Sequence, residues 1–353
     1  MCTVDTDIPT NQRPAPVAIV LVNWNGWRDS IECINSVLAQ SYSNFHIFLA
    51  DNDSADNSVE HIGAWCENPR PDPKWRQHDG VDRLTDRDAV APVTFRVVGA
   101  SDQALVEAPP GCRLTLIRSG GNLGFAGGCN VGIRTAGTDA FEFFWLLNTD
   151  TVVHRHALQF LVRRAMTDEQ LGMVGSTIRY YESPQIVQSL GGARMNPATV
   201  TSSLIGEGRG LEVIPTDAAE VERELTYIMG ASMLASRKFV RDVGLLQEDY
   251  FLYYEEIDWA MRGRHNFKLG YAPESHIFHR SGASSSQILP LFTARLYYRN
   301  RLKFVCRFFP ERLAAARRAL AIELLRHTLR GRWGHARVVA ATLLSTPSIS
   351  PLS

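Results

Sequence analysis

The stretch Phe143-Phe144-Trp145-Leu146-Leu147-Asn148-Thr149-Asp150 decides the fold class, because five large apolar residues run directly into oxygen-bearing side chains. Five consecutive apolar residues cannot alternate between core and solvent, so they predict a strand buried on both faces of a sheet. Ligands bind beyond the carboxyl ends of such strands. Asn148 and Asp150 can face one ion and offer the hard oxygen ligands that suit Mg²⁺ or Mn²⁺. The tripeptide is also typical of an ordinary turn, and this alternative stays open.

Strands and helices alternate in the amino-terminal part of the chain. Residues 17–22 predict a first buried strand, and apolar residues recur at helical spacing between positions 31 and 38. Residues 45–50 predict a second strand that stops at the polar residues 51–54. Such alternation predicts an α/β fold with right-handed crossovers and a parallel sheet.

Composition narrows the function class. The chain has 353 residues, of which 45% are apolar, so it can bury a substantial core. Its 37 basic and 37 acidic residues balance, and no global field attracts nucleic acid. The six cysteines form no C-x-x-C pair, which fits a reducing cytoplasm rather than a disulfide framework or a zinc knuckle. We find no secretory signal and no window of 18 apolar residues, so we expect a cytoplasmic location.

The pattern divides the chain into three parts. We expect a disordered leader over residues 1–15, a main α/β domain over 16–289, and a basic helical region over 290–353. Within the main domain, residues 67–92 read as an exposed insertion. Residues 181–215 are rich in glycine and read as an irregular loop beside a substrate.

Polar residues follow three predicted strands, at Asn23, at Asp51 and at Asn148 to Asp150. The carboxyl ends of parallel strands share one edge of a sheet, so these residues should converge on a ligand cleft. Asp51 or Asp53 could accept a hydrogen bond from a base or a ribose. The glycine-rich run 120–128 would let the backbone close over a nucleotide. Each of these loops is equally consistent with an ordinary turn.

A cluster of carboxylates follows the aromatic residues 251–254, which read as a short strand. The cluster comprises Glu255, Glu256 and Asp258, and carboxylates this close raise the pKa of at least one member. A carboxylate with a raised pKa is a usable proton acceptor. The alternative is the charged first turn of a helix.

Two histidines, His276 and His279, stand three positions apart in an apolar segment. One of them could donate a ring nitrogen to the metal ion. A purely structural histidine is the alternative.

These residues, in this order, resemble the family 2 glycosyltransferases, especially the bacterial branch that includes rhamnosyltransferases and galactofuranosyltransferases. The likeness runs from about residue 17 to residue 298. Residues 50–56 are similar to the D-N-x-S-x-D segment of the family, and residues 121–130 to its N-x-G-F-x-x-G-x-N run, the most specific of the set. Residues 148–150 stand where the family carries its D-x-D metal motif, with Asn in place of the first Asp.

The resemblance implies a role for several residues. Glu256 corresponds to the catalytic base, with Asp258 as the second choice. His279, in an H-x-x-G-x-S pattern, corresponds to a metal ligand beside Asp150 and Asn148. The nucleotide contacts expected from the strand ends and the glycine-rich run are Asn23, Asp51, Asp53, Asn122, Gly127, Asn130, Asn148 and Thr149.

The fold that the resemblance implies is of the GT-A type: a mixed, mostly parallel nucleotide-binding sheet flanked by helices, here with a helical carboxyl-terminal extension. The implied reaction is an inverting transfer, dependent on Mg²⁺ or Mn²⁺, from a nucleoside diphosphate sugar. The donor would be dTDP- or UDP-linked, for example dTDP-rhamnose. The acceptor would be a hydroxyl of a saccharide, a lipid-linked saccharide or a natural product, as in polysaccharide biosynthesis for the cell envelope.

Other functions remain to be weighed. A Rossmann-type oxidoreductase is disfavoured because no G-x-G-x-x-G follows the first strand. A catalytically idle carbohydrate- or nucleotide-binding protein and a nucleotidyltransferase both stay open.

The basic region 290–353 also has two interpretations. It is either a peripheral contact with the inner face of an anionic membrane or a helical appendage with solvated arginines.

Overall fold

The computed structural model of the chain describes residues 14–81, 92–99, 111–196, 201–215, 217–280 and 289–345. Nearly all of the expected leader and residues 82–91 of the expected insertion lie outside these ranges. The strands are β1 Val17–Asn23, β2 Phe45–Asp51, β3 Phe95–Gly99, β4 Leu114–Arg118, β5 Phe143–Asn148, β6 Thr151–Val153, β7 Leu171–Tyr180, β8 Val187–Leu190, β9 Gly192–Asn196, β10 Thr201–Leu204, β11 Tyr227–Ile228, β12 Ser232–Ser236 and β13 Lys268–His279. The helices are α1 Trp27–Leu38, α2 Ser58–Glu67, α3 Gly124–Ala136, α4 Ala157–Ala165, α5 Ala218–Glu222, α6 Arg237–Val243, α7 Glu255–Gly263, α8 Leu291–Phe308, α9 Leu313–Leu329 and α10 Trp333–Leu344.

A mixed, mostly parallel sheet of ten strands forms the centre of the molecule. Nine strands follow the order β3-β4-β2-β1-β5-β12-β7-β13-β6, and β8 pairs with β7. The first five strands in this order, β3, β4, β2, β1 and β5, are parallel to one another. Strand β12 is antiparallel to both β5 and β7. The apolar residues 143–147 are all buried in β5, as expected for a central strand. The expected α/β fold with a mostly parallel sheet is confirmed.

The ends of β1, β2 and β5 lie side by side. Asn23 is paired with Asp51, and Val22 is paired with Asn148. The predicted convergence of these polar strand ends is therefore confirmed by the strand register.

The prediction of an irregular loop over residues 181–215 is wrong. The segment contains β8, β9 and β10, and β9 lies between β10 and β11 in a second, three-stranded antiparallel sheet. Its glycines serve close packing: a Cβ on Gly192 would lie 2.0 Å from the carbonyl oxygen of Tyr227 on the neighbouring strand. Glycine density here reflects strands that approach one another closely.

Residues 251–254 are also not the expected strand. Phe251, Tyr253 and Tyr254 have φ angles of 67°, 68° and 79°, in the left-handed region, so these residues form a tight loop before α7. We call residues 249–254 the catalytic-side loop.

The glycine-rich run leads into the start of α3, and several glycines of this helix pack closely against neighbouring elements. A Cβ on Gly128 would lie 2.6 Å from Val22 Cγ1, and one on Gly132 would lie 2.4 Å from Val20 Cγ1. At Gly124, where φ is +69°, a Cβ would lie 2.2 Å from the carbonyl oxygen of Phe251. These glycines thus let α3 lie directly against β1 and the catalytic-side loop.

The predicted basic helical region after residue 290 consists of α8, α9 and α10 within the described residues. Helix α8 packs into the main core through Leu302, Phe304 and Val305. Among the residues that the structure describes, no helix combines the length and apolarity needed to cross a bilayer.

Replacing Gly124 with Ala should destabilise the fold, because the new Cβ meets a backbone carbonyl at a left-handed position. We expect the free energy of unfolding to fall by about 2–4 kcal/mol, as measured by chemical denaturation. The control is Gly121→Ala, since a Cβ at Gly121 meets no atom within 4 Å and no left-handed φ is required there. Equal stability of the two variants would show that the close approach to Phe251 is unimportant.

Candidate active site

A cavity of about 310 Å³ opens beside the end of β5, where the main sheet meets the small sheet and the catalytic-side loop. Its walls combine aromatic and aliphatic surface with three carboxyls, two amides and an imidazole, a composition typical of a ligand site. The lining residues are Phe125, Asn148, Gln188, Leu204, Glu207, Tyr227, Met229, Gly230, Ala231, Leu252, Tyr253, Glu255, Glu256 and His279.

Glu255 and Glu256 are the first two residues of α7 and reach this cavity together. Backbone groups of residues 254, 256 and 257, at the start of α7, lower the pKa of the Glu256 carboxyl. One oxygen of each carboxyl, Oε2, is buried and has no hydrogen-bond partner among the described residues. Unpaired buried carboxyl oxygens are costly, and a ligand hydroxyl in the cavity would satisfy them.

The two carboxyls differ in acidity. Burial raises the pKa of Glu255 well above its ordinary value, and the neighbouring Glu256 carboxylate raises it further. Burial also raises the pKa of Glu256, to about 7, although the backbone donors at the start of α7 oppose this rise. Both carboxyls therefore hold their protons more tightly than an ordinary glutamate does, and they titrate as a pair.

Asp150 and His279 meet at the turn between β5 and β6. Strand β13 is antiparallel to β6 and pairs His279 with Thr151, which places the imidazole beside Asp150. The Nε2 atom of His279 lies 3.3 Å from Oδ1 of Asp150. His276, three positions away, faces the opposite side of β13 and lines a different surface depression with Arg163 and Glu274.

A partner on the far side of the ring orients the His279 imidazole. The Oε1 atom of Gln188 lies 2.8 Å from Nδ1 of His279, and an amide oxygen only accepts, so Nδ1 carries the proton. In the neutral ring, Nε2 then presents a lone pair towards the Asp150 carboxylate. Two acceptors at this separation repel one another unless a proton or a cation lies between them.

These donors fit a divalent cation. Asp150 and His279 supply an oxygen and a nitrogen, and Asn148 adds an amide oxygen at the mouth of the same cavity. Within the described part of the chain, no three His, Cys, Asp or Glu side chains are grouped to hold a metal ion.

Asp51 is buried in a hydrogen-bonded network at the neighbouring strand end. Its Oδ1 accepts from Asn23 Nδ2 at 2.7 Å and from Ser54 Oγ at 2.7 Å, and its Oδ2 accepts from Ser54 N at 3.1 Å. A carboxylate can accept about four hydrogen bonds, so one position is left for a ligand. Asp53 is exposed in the following turn, with a φ angle of 60°.

Asp258 does not reach the cavity. Its carboxylate is buried and accepts from Arg262 Nε at 2.8 Å, from Arg307 at 2.6 Å and from Tyr250 Oη at 3.0 Å. Two guanidinium groups pair with this carboxylate, so it anchors α7. This pairing disfavours the second choice for the base.

Four further expected ligand contacts lie in α3 or the β5 turn, and their contacts are internal. Asn130 donates to Leu246 O and accepts from Leu246 N, so it holds the chain that leads to the catalytic-side loop. Asn122 Oδ1 accepts from Gly124 N, and Thr149 Oγ1 donates to Val22 O. Gly127 is buried in α3, where a Cβ would lie 2.6 Å from Leu123 Cβ. A nucleotide contact from Asn130 or Gly127 is contradicted by this burial and bonding.

One residue of the site, Gln188, escaped the sequence reasoning. Glu255 was expected as a member of the acidic cluster, but spacing alone does not reveal that it faces the cavity beside Glu256. Gln188 lies on β8, in the segment interpreted as loop, and nothing in the sequence indicates its bond to His279.

Family models match most of the chain. The model described as "Glycosyltransferase like family 2" matches residues 95–319, and the model described as "Glycosyl transferase family 2" matches residues 18–77. Because the first match covers more than half of the chain, the chain belongs to the family 2 glycosyltransferases.

Individual relatives are more distant. The chain is 27% identical over 187 residues to the low-salt glycan biosynthesis hexosyltransferase Agl10 of Haloferax volcanii, a match that covers 52% of the chain and 58% of the relative. It resembles the mannosyltransferase PcManGT from Pyrobaculum calidifontis, solved with GDP-Man and Mn²⁺, with a TM-score of 0.52, 12% identity and coverage of 94% and 86% of the two chains. For S. aureus TarS 1-349 the TM-score is 0.48 with 10% identity, over 82% of this chain and 64% of that one. The PcManGT likeness supports the GT-A fold.

Proposed function

We propose that the chain is an inverting, metal-dependent hexosyltransferase that moves a sugar from a nucleoside diphosphate sugar to an acceptor hydroxyl. One observation carries this proposal: Glu255 and Glu256 present buried, unpaired carboxyl oxygens to a cavity that also contains Asn148 and His279. A proton acceptor and a candidate cation site thus share one cavity, as sugar transfer from a diphosphate requires.

Glu256 would act as the base. Its carboxylate would accept the proton of the acceptor hydroxyl while the hydroxyl oxygen bonds to the anomeric carbon and the bond from that carbon to the diphosphate breaks. Attack from the face opposite the leaving group inverts the anomeric configuration. Neutral Glu255 would donate a hydrogen bond to the acceptor and leave Glu256 as the ionised partner.

Asp150, Asn148 and His279 would hold Mg²⁺ or Mn²⁺ on the diphosphate side. A bound cation would neutralise the charge that develops on the leaving group. The Gln188 bond to Nδ1 keeps Nε2 of His279 free as a ligand. The Mn²⁺ present in the PcManGT complex supports a metal in a fold of this type.

The donor would lie along the strand ends, with Asp51 accepting a hydrogen bond from its base or ribose. We propose a dTDP- or UDP-linked donor, with dTDP-rhamnose the first to assay, and a saccharide, lipid-linked saccharide or natural-product acceptor. A thermal-shift panel of dTDP-, UDP- and GDP-linked sugars identifies the nucleobase of the donor, because the bound sugar nucleotide raises the melting temperature of the protein. Turnover of a sugar nucleotide would exclude an idle binding protein, and diphosphate release from a nucleoside triphosphate would indicate a nucleotidyltransferase instead.

Glu256→Gln should lower turnover by about 10²–10⁴-fold, because the amide cannot accept the hydroxyl proton. In the wild type, kcat/KM should fall as the pH drops below about 7, where Glu256 becomes protonated. The variant's residual activity should lack this dependence. Initial rates across a pH series test both expectations.

The matched control is Glu169→Gln, an exposed carboxyl on the surface. Stability separates a chemical effect from misfolding. Because the pKa of Glu256 is raised in the folded state from its ordinary 4.5, the folded protein loses stability as the pH rises through about 7. Glu256→Gln should therefore be at least as stable as the wild type at pH 8. Full activity of this variant would remove Glu256 from the proposed role.

His279→Ala should weaken Mn²⁺ binding by about 10–100-fold, and Gln188→Leu should weaken it by a smaller factor. Electron paramagnetic resonance titration of Mn²⁺ in the presence of UDP or GDP measures this affinity without relying on turnover. His276→Ala is the matched control, since it removes an imidazole from the other face of the same strand. Unchanged Mn²⁺ affinity in His279→Ala would contradict the proposed metal site.

We also propose that the carboxyl-terminal helices contact an anionic membrane surface. Residues 290–353 contain twelve basic and two acidic residues, although the whole chain is neutral. Ile322, Leu325 and Leu329 lie on one face of α9 and are 54%, 57% and 78% exposed, and Trp333 follows at 62%. Apolar side chains flanked by arginines fit the headgroup region of an anionic bilayer, where each basic residue contributes about 1 kcal/mol.

The double variant Leu325→Asp/Leu329→Asp should lose co-sedimentation with phosphatidylglycerol vesicles at low salt, because two charges would enter the apolar layer. Met166→Asp is the control, since Met166 is 62% exposed on α4, outside the carboxyl-terminal helices. Failure of the wild type to bind these vesicles would reject the membrane contact. Dimerisation that only the double variant abolishes would assign this face to a second copy of the chain.

A further inference from the structure

We propose that α8 is part of the catalytic apparatus: Asn300 and Lys303 are positioning residues that hold the catalytic-side loop and, through it, Glu256. Their role rests on the proposed function of Glu256 as the base. It assigns a function to a helix that the sequence places in a separate carboxyl-terminal region.

The catalytic-side loop has a costly backbone. Phe251, Tyr253 and Tyr254 adopt left-handed φ angles immediately before the first residue of α7. Such a conformation is unfavourable at each residue that is not glycine, so it persists only where neighbouring structure imposes it. The loop therefore needs external contacts to keep its shape.

Asn300 supplies the central contact. Its side chain is fully buried, and its Nδ2 lies 2.8 Å from Tyr250 O, 2.8 Å from Leu252 O and 3.0 Å from Tyr253 O. The two N–H bonds of this amide are shared among three carbonyls of the loop. Tyr250 O also accepts from Leu252 N, so removal of the amide would deprive mainly the Leu252 and Tyr253 carbonyls of a donor, which is unfavourable in a buried place.

Charged residues of α8 hold both ends of the same loop. Lys303 Nζ donates to Asp249 O at 2.8 Å and lies 3.1 Å from the Asp249 carboxylate at the loop entrance. Arg307 donates to Asp258 at 2.6 Å, one turn into α7. Helix α8 therefore contacts the chain before and after Glu256.

Helix α3 holds the opposite side of the loop. Phe125 N donates to Phe251 O at 2.7 Å, beside the close approach of Gly124. Aromatic contacts with α8 complete the enclosure, with Phe251 against Phe292 and Tyr254 against Phe304. The loop is thus fixed between two helices that are far apart in the sequence, α3 and α8.

The proposed ligands of the metal ion lie on elements other than the catalytic-side loop and α7. Asp150 follows β5, and His279 ends β13. Loosening the catalytic-side loop should therefore displace Glu256 without disturbing the metal or the diphosphate side. A misplacement of about 1 Å can cost about 10²-fold in rate.

Asn300→Leu, which keeps the side-chain size and removes the donor, should lower kcat by about 10²-fold. The KM for the donor and the Mn²⁺ affinity in the presence of UDP or GDP should stay within about threefold of the wild type. Lys303→Met should act in the same direction, and Lys303→Arg should restore activity because it keeps the donor and the charge. Arg295→Ala, an exposed position on the same helix, is the control.

If Asn300→Leu does not fold, the comparison of Lys303→Met with Lys303→Arg tests the positioning role instead. Unchanged kcat in Asn300→Leu and Lys303→Met with a lowered melting temperature would make α8 a purely structural support and overturn the proposal. A parallel loss of Mn²⁺ affinity would overturn it as well. Glu256→Gln is assayed alongside these variants. Full activity of Glu256→Gln would refute the role of Glu256 as the base. An inactive Glu256→Gln beside fully active Asn300→Leu and Lys303→Met would refute only the positioning role of α8.

Discussion

The left-handed backbone of residues 251–254 is the constraint on which the rest of the site depends. It turns the chain so that α7 begins at the cavity with Glu255 and Glu256 side by side. Because this conformation is unfavourable for aromatic residues, the surrounding structure has to impose it. Asn300 satisfies the carbonyls of the loop, and the absence of a side chain at Gly124 makes room for the Phe251 carbonyl. Helices distant in the sequence thus serve one short segment.

The cavity brings together groups with opposite requirements. Glu255 and Glu256 lie where burial disfavours negative charge, which raises the pKa of both and leaves Glu256 able to exchange a proton near neutral pH. Asp150 and His279 lie where a cation would be stabilised, since two acceptors face each other there. Under the proposed function, the proton acceptor for the acceptor hydroxyl and the cation beside the diphosphate would both lie at this one cavity.

Much of this arrangement was accessible from residue patterns. The apolar run 143–147 marked the central strand, and the polar residues after three strands marked the ligand edge that the register then confirmed. The acidic cluster marked the start of α7. Patterns failed where a residue type has two uses. Glycines in 120–128 and 181–215 indicated loops open to ligand, but many of them serve close packing of backbone against backbone or side chain.

The sequence by itself determined three things: a mostly parallel sheet, the polar residues that end three of its strands, and the family. Apolar periodicity and short motifs are local properties, so they can be recognised without the tertiary structure. Tertiary structure alone decided which carboxylate is free. Asp258 and Glu256 stand two positions apart in the sequence. Asp258 pairs with Arg262 and Arg307 in the core, whereas Glu256 lines the cavity. Ionisation depends on burial and on partners drawn from distant elements, and neither is written in the spacing of neighbouring residues.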